Sequence, residues 1–130
     1  MTVYGNTMAS ELAVLVRAEV PPRAVRLTVR ELLMTRMERG PLGAREVSEA
    51  IEDAVRAACR LVRELNAPRE IVETVCQGAL EAVRGHGGQT ARWMPEASSA
   101  AMGVLEELTR EFPDDSDWRW LAARVHLQFP

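Results

Sequence analysis

The fold is decided by residues 44–85, whose sequence is AREVSEAIEDAVRAACRLVRELNAPREIVETVCQGALEAVRG. Apolar side chains recur every three or four positions on both sides of a short break, which is the spacing that keeps one face of a helix apolar. They are Val47, Ile51, Ala54, Ala58, Leu61 and Leu65 before the break, and Ile71, Val72, Val75, Ala79, Ala82 and Val83 after it. Because the break is only Asn66-Ala67-Pro68, the pattern predicts an antiparallel hairpin of helices at 44–65 and 68–85.

Helical spacing also extends to both sides of this hairpin. The proline pair at 21–22 must end a helix, since proline lacks an amide donor and restricts the residue before it. An extended strand or a loosely docked arm is the alternative for residues 12–20. The further predicted helices cover 10–19, 23–38, a span from Thr90 or Pro95 to Glu111, and a last span capped by Asp114.

Taken together, these segments predict an all-α, single-domain antiparallel bundle of five or six helices, with residues 1–9 as a flexible arm. A length of 130 residues is sufficient for one core. A faint likeness between helices, at a period of about 20 residues, does not match a known helical repeat, and no solenoid is predicted. The alanine-rich hairpin is similar in composition to small bacterial helical proteins, a likeness that transfers no site.

The charge balance argues against two classes of partner. The chain has a formal net charge of −3, with 16 basic residues, all arginine, interleaved with 19 acidic ones. Nucleic-acid or anionic-membrane binding needs a basic face that displaces counterions, and the best candidate, Arg23, Arg26 and Arg30, is interpreted as a solvated helix side. No apolar run is long enough for a secretion signal or a membrane span. We expect no nucleic acid, no membrane and a cytoplasmic location.

The sequence contains no catalytic or metal-binding motif with a strict residue spacing. The two histidines, His86 and His126, are not spaced for a shared metal ion, and neither Cys-x-x-Cys nor Glu-x-x-His occurs. Cys59 and Cys76 stand at nearly the same height in the predicted hairpin. They are interpreted as reduced, buried residues, with a bridge or a shared ligand as the lesser alternative. We predict no enzymatic activity, no cofactor and no metal.

A glycine-rich loop, Gly85-His86-Gly87-Gly88, follows the hairpin, with Arg84 and Arg92 close by in sequence. Backbone amides in such a loop can hold an anion, but the spacing matches neither a phosphate loop nor a dinucleotide fingerprint. We interpret the loop as a helix stop and a connection, with His86 as the side chain best placed for a polar contact.

Three tryptophans, Trp93, Trp118 and Trp120, lie in the last third of a chain with few other aromatic residues. Trp118 and Trp120 are two positions apart, so they cannot both face the core from one helix. One of them should be exposed, and an exposed tryptophan beside arginine is typical of protein interfaces. The alternative is that both indoles pack over the end of the bundle.

These patterns favour a non-enzymatic protein-interaction or self-assembly module, with a homodimer as the expected state. The alternative is a small-molecule sensor or carrier that holds an apolar ligand within the bundle, where small alanines and Gly78 would leave space. The candidate contacts for either function are Arg84, His86, Arg92, Trp93, Trp118 and Trp120.

Overall fold

The structure, a computed structural model, describes residues 3–38, 43–85 and 93–128. Within these ranges the chain forms six helices and no strand, packed around one apolar core. This confirms the predicted all-α helical bundle. The helices are α1 Val3–Arg17, α2 Pro22–Glu38, α3 Ala44–Leu65, α4 Glu70–Gly85, α5 Met94–Glu111 and α6 Ser116–Gln128.

The start of α1 differs from the prediction. The helix begins at Val3 instead of Ser10, so the helix takes in most of the stretch predicted to be a flexible arm. The extended alternative for residues 12–20 is also wrong, because the helix continues to Arg17. Met8 and Leu12, one helical turn apart, are both buried in the core. Their burial stabilises an early turn for which the local sequence carries no start signal.

Two other helix starts are shifted by local hydrogen bonding. Helix α4 begins at Glu70, after a turn in which the Pro68 carbonyl accepts a 3.0 Å bond from the amide of Ile71. At α6, the amide of Asp117 donates to a side-chain oxygen of Asp115 over 3.0 Å. Asp115 therefore caps this helix, and the predicted cap at Asp114 is wrong.

Alternate helices run parallel and lie side by side. Along α3 and α5, Ser48 lies near Pro95 while Arg63 lies over the Phe112 ring that follows α5, at 4.4 Å. Helix α2 follows α4 in the same direction, and this is the most extensive helix pair in the described structure. The odd-numbered helices thus form one layer and the even-numbered helices a second one. The sequence predicted the α3–α4 hairpin as the core of the fold and did not predict the α2–α4 pair.

Gly78 explains how α2 and α4 approach so closely. A β-carbon at this position would lie 2.6 Å from the backbone oxygen of Arg26 and 3.1 Å from the β-carbon of Val29. The space beside Gly78 is therefore filled by the backbone of α2. The hypothesis that Gly78 leaves room for a ligand inside the bundle is wrong, since the missing side chain serves helix packing instead.

The three turns that join α1 to α2, α3 to α4 and α5 to α6 lie at one end of the bundle, which we call the turn end. They are residues 18–21, 66–69 and 112–115. Arg69 joins the second turn to the third, with its Nη2 atom 3.6 Å from Asp115 and 2.9 Å from Asp117. None of the described helices combines the length and the apolar composition that a membrane span requires.

Candidate interaction surface at the turn end

Two adjoining grooves cross the turn end. The first, the apolar groove, has a volume of about 470 Å³ and lies between the α1–α2 and α3–α4 turns. The second, the tryptophan groove, has a volume of about 680 Å³ and continues to the start of α6. They share Asn66, Ala67, Pro68 and Glu70, and together they make one surface, the turn-end surface.

Apolar side chains dominate the first groove. Its apolar lining consists of Leu15, Val16, Val20, Pro22, Val25, Leu65, Ala67, Pro68 and Ile71. Leu65 retains 37% of its accessible surface, although the sequence placed it on the core stripe with Leu61. The stripe runs past the end of the α3 packing interface, so its last member faces the groove. Exposed apolar surface with a concave shape is typical of binding sites.

Two residues with left-handed backbone line this groove. Glu19 has a φ of 52° and Asn66 a φ of 53°, and they are the non-glycine residues with positive φ in the described structure. Glu19 ends α1 in a Schellman motif, in which its amide bonds to the Val16 carbonyl and the amide of Val20 to that of Leu15. Asparagine is common at such a position, whereas glutamate pays a steric penalty that glycine avoids.

The charges of the turn-end surface are mainly negative. Among the residues that line the two grooves, Glu19, Glu70 and Asp117 are acidic and Arg69 is basic. The guanidinium of Arg69 is already held by Asp115 and Asp117. Within the described residues, neither Glu19 nor Glu70 forms an ion pair. The rim of the apolar groove therefore carries two carboxylates that face solvent.

The tryptophan prediction is confirmed in its geometric part. Trp118 is buried in the core, whereas Trp120 retains 45% of its surface at the edge of the tryptophan groove. The Arg124 guanidinium lies over the Trp120 ring, 5.0 Å from its centroid. It also donates two hydrogen bonds of 3.1 Å to the buried carboxylate of Glu73, which raise the pKa of Arg124. Glu73 thus holds the Arg124 side chain in place against the exposed indole of Trp120.

The six sequence-predicted contact residues do not form one site. Arg84 is exposed near the end of α4, and Trp93 is buried where α5 begins, so both lie at the end opposite Trp120. The 22-residue α3 separates the two ends by about 33 Å. Trp118 is a core residue. His86 and Arg92 lie outside the described residues.

The sequence missed the groove itself. Both turns that border it were predicted from Pro21-Pro22 and Asn66-Ala67-Pro68, so a local signal was present. No local pattern predicted that these two turns lie side by side. That proximity follows from the parallel packing of α1 against α3, which joins residues far apart in sequence.

The two cysteines are free thiols in the core. Burial raises the pKa of Cys59 to about 12 and raises that of Cys76 above its ordinary range. Because the thiolate is the reactive and metal-binding form, this environment disfavours both roles at neutral pH. The predicted bridge alternative is wrong. In the described ranges, no group of three or more His, Cys, Asp or Glu side chains is arranged to hold a metal ion.

Comparison of the chain with protein-family models, with curated proteins and with solved structures finds no match. Function is therefore inferred from the chemistry of the turn-end surface itself.

Proposed function

We propose that this protein is a non-enzymatic interaction module that binds a segment of a partner protein at the turn-end surface. The observation that carries the proposal is the apolar groove, a concave surface of about 470 Å³ with Leu65 exposed on its wall. Trp120 extends the surface in the adjoining groove. Interfaces are anchored by a few aromatic or aliphatic residues in such settings.

The helices give this surface a rigid base. Its residues come from the ends of helices that pack against a buried core. Arg124 contacts the Trp120 indole and is itself held by hydrogen bonds to the carboxylate of Glu73. A preorganised surface loses less conformational entropy on binding than a flexible one. At the opposite end of the bundle, Trp93 is buried and therefore offers no exposed indole for recognition.

A symmetric dimer through the turn-end surface is disfavoured. Two-fold pairing buries the same patch of both copies in one interface, so it would bring the Glu19 and Glu70 carboxylates of the two copies into the same region. Like charges at an interface oppose binding. The expected homodimer stays a prediction. The expected cytoplasmic location also stays a prediction.

The volume of the apolar groove favours a second candidate, a carrier of a small apolar ligand. Binding sites for such molecules span about 300–1,000 Å³ and are lined mostly by apolar side chains. The groove falls in this range, although it lies at the turn end and not within the bundle as the sequence suggested. Native mass spectrometry of the purified protein separates the candidates. Reproducible excess mass on the 14.5 kDa chain supports the carrier.

Site-specific photocrosslinking tests the interaction proposal. A photoreactive phenylalanine analogue replaces Leu65 in one variant and Val14 in another, since Val14 is 59% exposed but lines neither groove. In extracts of the source cells, we expect a discrete protein adduct from position 65 that wild-type protein competes away and Trp120→Ala weakens. Equal adducts from both positions, or none from position 65, would overturn the proposal.

A further inference from the structure

We propose that the partner segment is cationic, with an apolar side chain that enters the apolar groove and flanking Arg or Lys residues that meet Glu19 and Glu70. This inference rests on the proposed function and adds the chemical class of the partner. It is drawn from the two carboxylates at the rim of the apolar groove, and from the unfavourable backbone conformation and helix-end position of one of them, Glu19.

The two carboxylates come from different walls of the groove. Glu19 belongs to the α1–α2 turn, and Glu70 to the first turn of α4. Both are exposed, and among the described residues no arginine lies within salt-bridge distance of either, although the charge of Arg124 acts on Glu70 from farther away. An apolar segment that enters between them with basic residues on each side would satisfy both charges. Such electrostatic complementarity mainly governs specificity and the association rate.

Glu19 is placed against two local preferences. It adopts a left-handed backbone conformation in which a β-carbon is disfavoured. It also lies at the carboxyl end of α1, where the helix dipole repels a negative charge. Neither cost is offset by an ion pair within the described structure. Residues that violate local rules in this way are concentrated at functional sites.

Glu70 has a structural explanation that Glu19 lacks. A carboxylate in the first turn of a helix is stabilised by the helix dipole, so Glu70 contributes to α4 whether or not it binds anything. The test therefore needs readouts of both stability and binding. Glu19 is the more informative position, because replacing it with glycine should raise the stability of the protein and lower its affinity for the peptide.

Phage display of random 12-residue peptides on the wild-type protein supplies the probes. We expect enriched peptides to combine a large apolar residue with a net positive charge, and to bind less tightly as salt is raised. In fluorescence anisotropy, Glu19→Gln and Glu70→Gln should each weaken binding about two- to fivefold. Glu31→Gln, an exposed charge on α2 that lines neither groove, should leave binding unchanged.

Glu19→Gly separates recognition from a merely structural role. Glycine relieves the left-handed strain, so the thermal midpoint should rise by about 2–5 °C, while peptide affinity falls as it does for Glu19→Gln. A variant that gains stability and keeps full affinity would overturn the role of Glu19.

The outcomes also distinguish this inference from the proposed function. Peptides of neutral or negative charge that lose affinity with Leu65→Ser, but not with Glu19→Gln or added salt, would refute the cationic partner alone. Peptides that bind equally well to wild type, Leu65→Ser and Trp120→Ala would refute the turn-end surface as the binding site. Selection of cationic peptides that depend on Leu65 and on both glutamates would support both.

Discussion

Gly78→Ala should destabilise the fold by forcing α2 and α4 apart. The added β-carbon would stand 2.6 Å from the Arg26 carbonyl oxygen, a backbone atom that no rotamer change can move. Favourable carbon–oxygen contacts lie at about 3.3–3.6 Å. The two helices must therefore separate beside Gly78 by roughly 0.7–1.0 Å. This position lies within the most extensive helix pair of the described structure.

The magnitude follows from two opposing effects. Alanine is favoured over glycine in a helix interior by about 1 kcal/mol. Against this, a gap of about 0.5–1 Å forfeits a quarter to a half of the dispersion energy of the contacts it opens, and overpacked cores lose about 1–3 kcal/mol. An interface as extensive as α2–α4 belongs at the upper part of that range. We expect a net loss of about 1–2 kcal/mol in the free energy of unfolding.

Gly103→Ala is the matched control. Gly103 lies inside α5, and a β-carbon there would meet nothing within 4 Å. The same substitution should therefore stabilise the protein by about 0.5–1 kcal/mol. Urea unfolding followed by far-ultraviolet circular dichroism measures both variants. Equal shifts of the two midpoints in the same direction would refute the conclusion that Gly78 is required for the approach of α2.

Three further predictions concern the core, an ion pair and an exposed indole. Because the folded-state pKa of the Cys59 thiol is raised to about 12, its contribution to stability is complete below the unfolded-state pKa of about 8.5 and is lost as pH rises toward 12. The unfolding midpoint should therefore fall over that interval, and less steeply in a Cys59→Ala, Cys76→Ala double variant; identical slopes would contradict this. Arg124→Met keeps the methylene packing but removes both hydrogen bonds to the buried carboxylate of Glu73, so thermal denaturation should show a lower midpoint, and an unchanged one would argue against a stabilising pair. Acrylamide should quench wild-type fluorescence mainly through Trp120, so Trp120→Phe should leave emission that is largely protected, whereas unchanged quenching would contradict the burial of the other two indoles.

The helices were predicted well where the signal is local. The bounds of α3, Ala44–Leu65, agree with the prediction at both ends, since the apolar stripe stops at an asparagine with a left-handed backbone. The prediction was wrong at the start of α1, where burial of Met8 extends the helix. Long-range packing decided that boundary, and no residue near it signals the outcome.

The candidate site was predicted only in fragments. Spacing alone required Trp118 and Trp120 to face different ways, and the structure buries the first and exposes the second. Arg84 and Trp93, which the sequence also offered as candidate contacts, lie at the other end of the bundle. Sequence distance along the last third of the chain was a poor guide, because each pass through the bundle carries the chain from one end to the other.

The sequence by itself determined the helices, most of their apolar faces and the turns between them, because these depend on neighbours within a few residues. Tertiary structure decided which helices pair. The approach of α2 to α4 depends on the match between Gly78 and the backbone at Arg26, a contact across many intervening residues. The tertiary structure also brings Glu19, Leu65 and Glu70 to one groove. That surface exists because the alternate helices run parallel, so turns distant in sequence meet at the same end.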